Sequence, residues 1–308
     1  MPKNSKQHSG LTQRQTTALL TIVGIIVLIV AGWLWWQNVY STPERVFWSM
    51  VNNNLVTTGI TKHSTQSGQQ APTTTDQYTR LTFGSQNTVR SIVTLTQDDG
   101  TNKSVVKTET IGTPDNDFAR YLSINTTQKS SEGKLLDFTK IQGIWGKSPD
   151  PVAGQPSTAS YLRQAVLGLV PFGYLDSENR ASIVSYMQNN QVYKPDFSHV
   201  QKTTKNGKAV YIYAVEVQPK AYANLLVMMN KAMGLGAIDG LDPSAYESSP
   251  PIKTQFTVDK NSRQLVSISY VGSGQEEAYS DYGLSLPLIL PTQTIPIAEL
   301  QKRIQTVQ

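Results

Sequence analysis

The feature that most constrains this chain is an uninterrupted apolar run at residues 18–36, ALLTIVGIIVLIVAGWLWW. The run contains neither a charged residue nor a proline. As an α-helix with a rise of about 1.5 Å per residue, it would extend roughly 28 Å, close to the thickness of a bilayer's hydrocarbon core. The run therefore predicts one membrane-spanning helix, and the long remainder of the chain must fold outside the bilayer.

The charges on either side of this run predict its orientation. Residues 1–17 contain three basic side chains and no acidic one, whereas Glu44 and Arg45 cancel each other on the other side. Because basic flanks favour the cytoplasm, we expect a cytoplasmic N-terminus and an extracytoplasmic C-terminal part. The predicted location is the cell membrane, crossed once, and the lipid bilayer is the first predicted partner.

Aromatic side chains mark the outer end of the predicted helix. Trp33, Trp35, Trp36 and Tyr40 are expected at the membrane interface, where amphipathic rings favour the headgroup level. A cleaved signal peptide is the alternative, but its apolar region spans about 7–15 residues and precedes a small-residue cleavage site. Because the present run is longer and continues into tryptophans, an uncleaved anchor is the preferred interpretation.

The residue types that site chemistry most often needs are scarce. The chain has no cysteine, which excludes disulfides, thiolate metal sites, cysteine nucleophiles and a cysteine-linked lipid. It has three histidines, one of them in the N-terminal tail, so neither a histidine metal site nor a catalytic triad is predicted. The formal net charge is +5, and no run of lysine or arginine indicates nucleic acid.

The common catalytic and nucleotide-binding motifs are also absent from the sequence. It contains no GxSxG, no Walker loop, no GxGxxG after a strand and no HExxH. Neighbouring acids such as Glu276 and Glu277 are typical of a solvated surface. We therefore predict a protein that is not an enzyme and has no cofactor or metal. A hydrolase, in which acids and a serine or lysine would meet in one cleft, is the third functional hypothesis, after the two binding or structural roles given below.

Beyond the anchor, the residue pattern predicts helices and antiparallel strands. Pro43 is typical of a helix start, and this helix is expected to end near Asn54. Between residues 55 and 145 apolar residues alternate with polar ones, which predicts strands. Asn206-Gly207 between β-prone runs predicts a hairpin. Further helices are predicted at 157–170, at 177–190 and after Pro219, and further strands at 252–258, 264–271 and 276–285.

Four segments of the C-terminal half have an order that resembles a known family. They are the hairpin at 205–217, the helix after Pro219, the hairpin at 256–266, and Tyr279-Ser280-Asp281-Tyr282-Gly283 followed by two prolines. This order resembles the LolA-like lipoprotein-carrier superfamily, especially the LppX/LprG type of cell-envelope lipoprotein, mainly over residues 197–291. The resemblance implies a curved antiparallel half-barrel that helices close around an apolar cavity for acyl chains. The chain differs from that type in having an apolar anchor instead of a lipidated cysteine.

The predicted fold class is therefore α+β, with an N-terminal transmembrane helix followed by a curved antiparallel half-barrel that has helices on its concave face. The predicted organisation has four parts. These are a cytoplasmic basic tail at 1–17, the transmembrane anchor at 18–40, an extracytoplasmic domain at 41–291 and a C-terminal tail at 292–308.

The leading functional hypothesis is a non-catalytic binding protein that holds a lipid, a lipoprotein acyl chain or another amphiphile. The helix after Pro219 is rich in methionine, whose flexible side chain adapts to varied ligands. The residues predicted to line the cavity are Leu162, Val166, Leu169, Phe172, Leu225, Leu226, Met229 and Met233. The alternative is a non-catalytic structural or interaction protein of the cell envelope whose half-barrel is solidly packed. An exposed apolar patch without an internal cavity would favour that alternative.

Overall fold

The computed structural model describes residues 40–67, 73–152, 157–236 and 241–307. Besides Tyr40, it describes four residues of the predicted anchor: Ile25, Ile26, Leu28 and Val30. The rest of the anchor, with Trp33, Trp35 and Trp36, and the tail at 1–17 lie outside the described residues. Among the residues that are described, no helix has the length and apolar character needed to cross a membrane. The anchor, its orientation and its aromatic belt stay predictions.

The described residues form an α+β fold around one large, curved and open antiparallel sheet, and this coarse prediction is confirmed. Along the sheet the strands follow the order β13-β6-β5-β4-β3-β2-β1-β12-β11-β10-β9-β7, and β8 also pairs with β9. Among the described strands, β13 and β6 form the parallel pair. The thirteen strands are β1 (Gly59–Ser67), β2 (Thr73–Thr82), β3 (Thr88–Asp98), β4 (Lys103–Gly112), β5 (Asp117–Thr126), β6 (Gly146–Lys147), β7 (Tyr193–Pro195), β8 (Gln201–Lys205), β9 (Lys208–Val217), β10 (Ile252–Asp259), β11 (Leu265–Tyr270), β12 (Glu276–Ser280) and β13 (Ile295–Pro296).

The meander from β1 to β5 shows why these segments form strands. In β3, Val89 and Ser91 are buried, whereas Arg90 between them lies on the opposite face. Threonine and β-branched residues are frequent here, and their side chains suit a pleated, half-buried surface. The turn between β3 and β4 is held by Asp99, whose Oδ1 accepts a hydrogen bond from the backbone N–H of Asn102 at 2.6 Å.

Four helices pack against one face of the sheet, which we call the inner face and which carries Ile60, Leu81 and Val89. Buried residues from all four helices join strand residues in one apolar core. Gly234, with a φ of 62°, ends the last of them in the left-handed conformation, as its position predicts. The helices are α1 (Pro43–Asn54), α2 (Tyr161–Val166), α3 (Ser177–Asn189) and α4 (Pro219–Met233), and a 3₁₀ turn (Pro243–Tyr246) lies against α4.

Helix α2 is shorter than the predicted 157–170. Asp117 of β5 defines its start, because Oδ2 accepts hydrogen bonds from the backbone N–H groups of Ser160 at 2.8 Å and Tyr161 at 3.2 Å. Gly168 and Pro171 follow its end, and both residue types disfavour a helix interior. Residues beyond Val166 therefore belong to a loop rather than to a helical face.

Phe47 of α1 lies at the centre of the main core. Its ring stacks against Phe256 with the centroids 6.0 Å apart and meets Tyr213 edge-on at 5.3 Å. The hydroxyl of Tyr213 donates to the carbonyl oxygen of Pro43 at 2.9 Å. Burial of one such large apolar side chain stabilises the fold by about 1.5–3 kcal/mol. Ring packing and this hydrogen bond together fix α1 on β9 and β10.

A second, smaller core fixes the C-terminal segment at one edge of the sheet. Residues 292–307, which the sequence assigns to a tail, contain β13 and helix α5 (Ile297–Gln305). Leu300 of α5 packs with Phe138 and Ile141. This segment is therefore part of the folded body that the described residues form.

The connection from β12 to β13, residues 281–294, crosses the other face of the sheet. We call this connection the strap and this face the outer face. Arg80 Nη2 of β2 donates to the carbonyl oxygen of Leu284 in the strap at 3.0 Å. Because strand side chains alternate, Arg80 points away from the face of its neighbour Leu81. The register sets Arg80 directly opposite Arg90 of β3, so both arginines lie on the outer face.

Candidate functional site

A half-open groove lies on the outer face between the strap and strands β3 to β5. Its volume is about 860 Å³, within the range of roughly 300–1,000 Å³ that is typical of small-molecule sites. The charged residues that line it are Arg90, Glu109, Arg120 and Arg303. The apolar residues that line it include Ile111, Ile144, Trp145, Pro287, Leu288, Ile289, Leu290, Pro291 and Ile295.

The charged side of the groove is organised around Glu109 of β4. The Glu109 side chain is 3% exposed. Arg90 Nε lies 2.6 Å from its Oε1, and Arg120 Nε lies 2.7 Å from its Oε2. The strand register brings these three side chains together, because Arg120 is directly opposite Glu109 and Arg90 is diagonal to it. Since an unpaired buried carboxylate is costly, these bonds hold all three side chains in place.

The three side chains carry a surplus positive charge. Two guanidinium groups oppose one carboxylate, which leaves a formal charge of +1. Arg90 is 50% exposed, and in the part of the chain that the structure describes it donates to Glu109 through Nε alone. The guanidinium carbon of Arg120 lies 4.5 Å from the ring centre of Trp145, a cation–π contact. The floor of the groove is therefore positive and rigidly held.

The apolar side of the groove is exposed to solvent. The side chain of Ile289 is 89% exposed. Pro287 has no backbone N–H, so it cannot donate a hydrogen bond to a neighbouring strand. Contiguous exposed apolar surface marks binding or interaction sites. The groove thus joins an apolar wall to a positive floor, an arrangement that suits an amphiphile. The other exposed large apolar side chains of the strap are Leu284, Leu286 and Leu290.

The eight residues predicted to line an internal cavity lie mostly in the main core. Leu169 and Met233 are half-buried against this core, and Leu226 is partly exposed. None of the eight lines the outer-face groove. The structure brings most of them together, but as packed neighbours. The five that are fully buried are Leu162, Val166, Phe172, Leu225 and Met229.

Hydrogen bonds from tyrosines hold this inner-face packing. Tyr222 Oη of α4 donates to the carbonyl oxygen of Gly168 at 2.5 Å, and Tyr193 Oη of β7 donates to that of Leu169 at 2.9 Å. Burial raises the pKa of both tyrosines, so both hydroxyls stay protonated and donate. The loop after α2 is therefore tied to α4 and β7 across the positions where a cavity was predicted.

A second buried carboxylate lies on the inner face. Glu277 of β12 accepts a hydrogen bond from Tyr279 Oη at 2.5 Å, and Lys62 Nζ lies 3.7 Å from its Oε1. Burial raises the pKa of Tyr279 well above its ordinary value, which keeps this donor protonated. The sequence suggested a solvated surface for Glu276 and Glu277, and this is wrong for Glu277. The alternation along β12 leaves Glu276 exposed and turns Glu277 inward.

A second pocket, of about 880 Å³, lies where the domain meets the predicted anchor. The guanidinium carbon of Arg263 lies 3.8 Å from the ring centre of Tyr40. Arg263 Nη2 donates to the carbonyl oxygen of Tyr40, and Nη1 donates to Ser49 Oγ, both at 3.0 Å. Tyr40, predicted at the membrane interface, therefore also contacts the folded domain. None of the eight predicted cavity residues lines this pocket.

An aspartate, a serine and a histidine meet in the loop after β7 without forming a catalytic triad. His199 Nδ1 lies 2.8 Å from Asp196 Oδ2 and 3.1 Å from Ser198 Oγ. A triad needs one ring nitrogen for the acid and the other for the nucleophile, whereas both contacts here use Nδ1. The Ser198 hydroxyl lowers the pKa of Asp196 to about 2, as in an ordinary turn. Within the described ranges, no three metal-binding side chains cluster.

Comparison with known proteins does not identify a family. No protein-family model matches the sequence, and no curated protein does. The resemblance to LolA-like carriers stays a prediction.

Proposed function

We propose that this protein is a membrane-anchored, non-catalytic binding protein that holds a lipid, an acyl chain or another amphiphile outside the membrane. The observation that carries the proposal is the outer-face groove, which is lined both by the exposed Ile289 and by Arg90 and Arg120. An amphiphile has an apolar tail and a polar head, and the groove offers a surface for each.

The fold supports this proposal in its general form. Helices α1 to α4 on one face of a curved sheet are compatible with the half-barrel that the resemblance to LolA-like carriers implies. In those carriers the cavity lies between sheet and helices. In this protein we place the ligand on the outer face instead, because Leu225, Met229 and their neighbours fill the space on the inner face.

A protein partner is the second candidate occupant of the strap. The packed core and the exposed strap are what an anchored interaction protein of the cell envelope would have, because a partner could cover the apolar patch. An amphiphile and a protein partner would both cover the apolar side chains of the strap, and they differ in chemical class.

Native mass spectrometry of the full chain tests the proposal. The chain is extracted from a bacterial membrane with a polymer that retains the surrounding bilayer, and then released in the spectrometer. We expect a retained mass excess of lipid size that is lost in Ile289→Asp. It should persist in Val271→Asp, which changes an equally apolar, exposed residue in the turn after β11. A bare chain mass for the unmodified protein, or equal retention by both variants, would contradict the proposal.

A further inference from the structure

We infer that the ligand of the outer-face groove is a long-chain carboxylic acid, with its carboxylate bound by Arg90 and Arg120 and its single chain lying along the strap. This inference rests on the proposed function and adds the charge and shape of the ligand.

The charge of the groove selects the head group. Glu109 neutralises one of the two guanidinium groups, so one positive charge stays without a counter-charge among the described side chains of this cluster. A cationic head would be repelled, and a neutral head would leave the surplus unpaired beside apolar walls. One carboxylate restores neutrality among Arg90, Glu109 and Arg120. Arg303 does not alter this balance, because it pairs with Glu299 one turn earlier on α5.

Glu109 also prepares the arginines for binding. Each of its oxygens fixes one guanidinium at 2.6 to 2.7 Å, and Trp145 supports the plane of Arg120. Side chains that are already ordered lose little conformational entropy when a ligand binds. Among the described residues Arg90 donates a side-chain hydrogen bond through Nε, and the two Nη groups of its planar guanidinium can donate further bonds to a carboxylate.

The strap supplies the contact surface for the chain. Ile289 and Leu290 line the groove from the strap, and Ile111 and Ile144 line it from the sheet side. The volume of about 860 Å³ is that of a site for one small ligand. A single alkyl chain between these walls removes the exposed side chains from water, which is the main driving force available to it.

Two matched photoreactive probes test the head-group assignment. Hexadecanoic acid and hexadecanol, each with the same diazirine in the tail, are added to the full chain in phosphatidylcholine nanodiscs. The measured quantity is the probe concentration that gives half-maximal labelling of the strap. A hydrogen bond to a charged group strengthens binding by a further factor of roughly ten or more. We therefore expect the acid to reach half-maximal labelling at about one tenth of the alcohol's concentration.

Arginine variants assign the effect to the groove. Arg90→Gln leaves the bond between Arg120 and Glu109 in place, so this variant is expected to fold. It should raise the half-maximal concentration of the acid roughly tenfold and leave that of the alcohol unchanged. Arg180→Gln, on helix α3, is the matched control and should change neither. Arg90→Lys keeps the charge and should fall between Arg90→Gln and the unmodified chain.

The outcomes separate this inference from the function on which it rests. Equal labelling of the strap by acid and alcohol would overturn the carboxylate assignment and leave amphiphile binding in place. So would an Arg90→Gln variant that matches the unmodified chain. Failure of both probes to label the strap would overturn the inference together with the proposed function.

Discussion

A substitution at Met229 of α4 tests whether side chains fill the space between the helices and the inner face of the sheet. Its side chain is fully buried, whereas Val227 on the same helix is 43% exposed. In a filled core, Met229→Ala leaves a cavity and should lower the free energy of unfolding by about 2–5 kcal/mol. Val227→Ala is the matched control and should change it by less than about 0.5 kcal/mol. Both values come from chemical denaturation of the full chain.

Near-equal values for the two variants would contradict a filled core. They would mean that Met229 borders open space, and the internal cavity predicted from the sequence would again become the preferred binding site.

Residue chemistry was only partly predictable from the sequence. The methionine-rich helix was correctly placed after Pro219, but apolar side chains that line a cavity look the same in sequence as those that fill a core. The pairing of Arg90, Glu109 and Arg120 was missed because it involves three strands. The turn after β3 and the alternation of each strand could have placed all three on one face.

The strap is the element on which the groove depends, and Gly59 of β1 tests its attachment. The backbone N–H of Gly283 donates to the carbonyl oxygen of Gly59 at 2.9 Å. A Cβ at position 59 would clash with the carbonyl oxygen of Leu284, which is backbone and cannot rotate away. We expect Gly59→Ala to lower the free energy of unfolding by about 1–3 kcal/mol. It should also speed hydrogen exchange in the strap.

Gly168→Ala is the control for this prediction. A Cβ there meets no atom within 4 Å, so the exchange rates in the strap should match those of the unmodified chain. Unchanged exchange in Gly59→Ala would mean that the strap is not held at its start by this contact.

Elements with a local signal were predicted well. The period-two alternation indicated β3, the Asn206-Gly207 turn indicated the β8–β9 hairpin, and Pro219 indicated the start of α4. The strand predicted at 276–285 ends at Ser280, so its second half belongs to the strap, and α5 was assigned to the tail. Both were missed because their places depend on contacts with distant strands. Helix α2 was predicted too long because its start is set by Asp117, which is far away in the sequence.

For the whole molecule, the α+β class with one curved antiparallel sheet was predictable, and the binding surface was not. The sequence located hydrophobic residues without showing which face of the sheet the helices would cover. With α1 to α4 on the inner face, the outer face keeps the strap and the arginines exposed. We therefore place the bound amphiphile on this outer face.

Mapping of the labelled peptide shows on which face of the sheet the amphiphile binds. The full chain in nanodiscs is irradiated with the diazirine-bearing hexadecanoic acid, digested, and sequenced by mass spectrometry. We expect the label in the strap, around Ile289, and on the facing segment around Trp145. Label on α4, between Leu225 and Met233, with none in the strap, would contradict this expectation and place the ligand between the helices and the sheet.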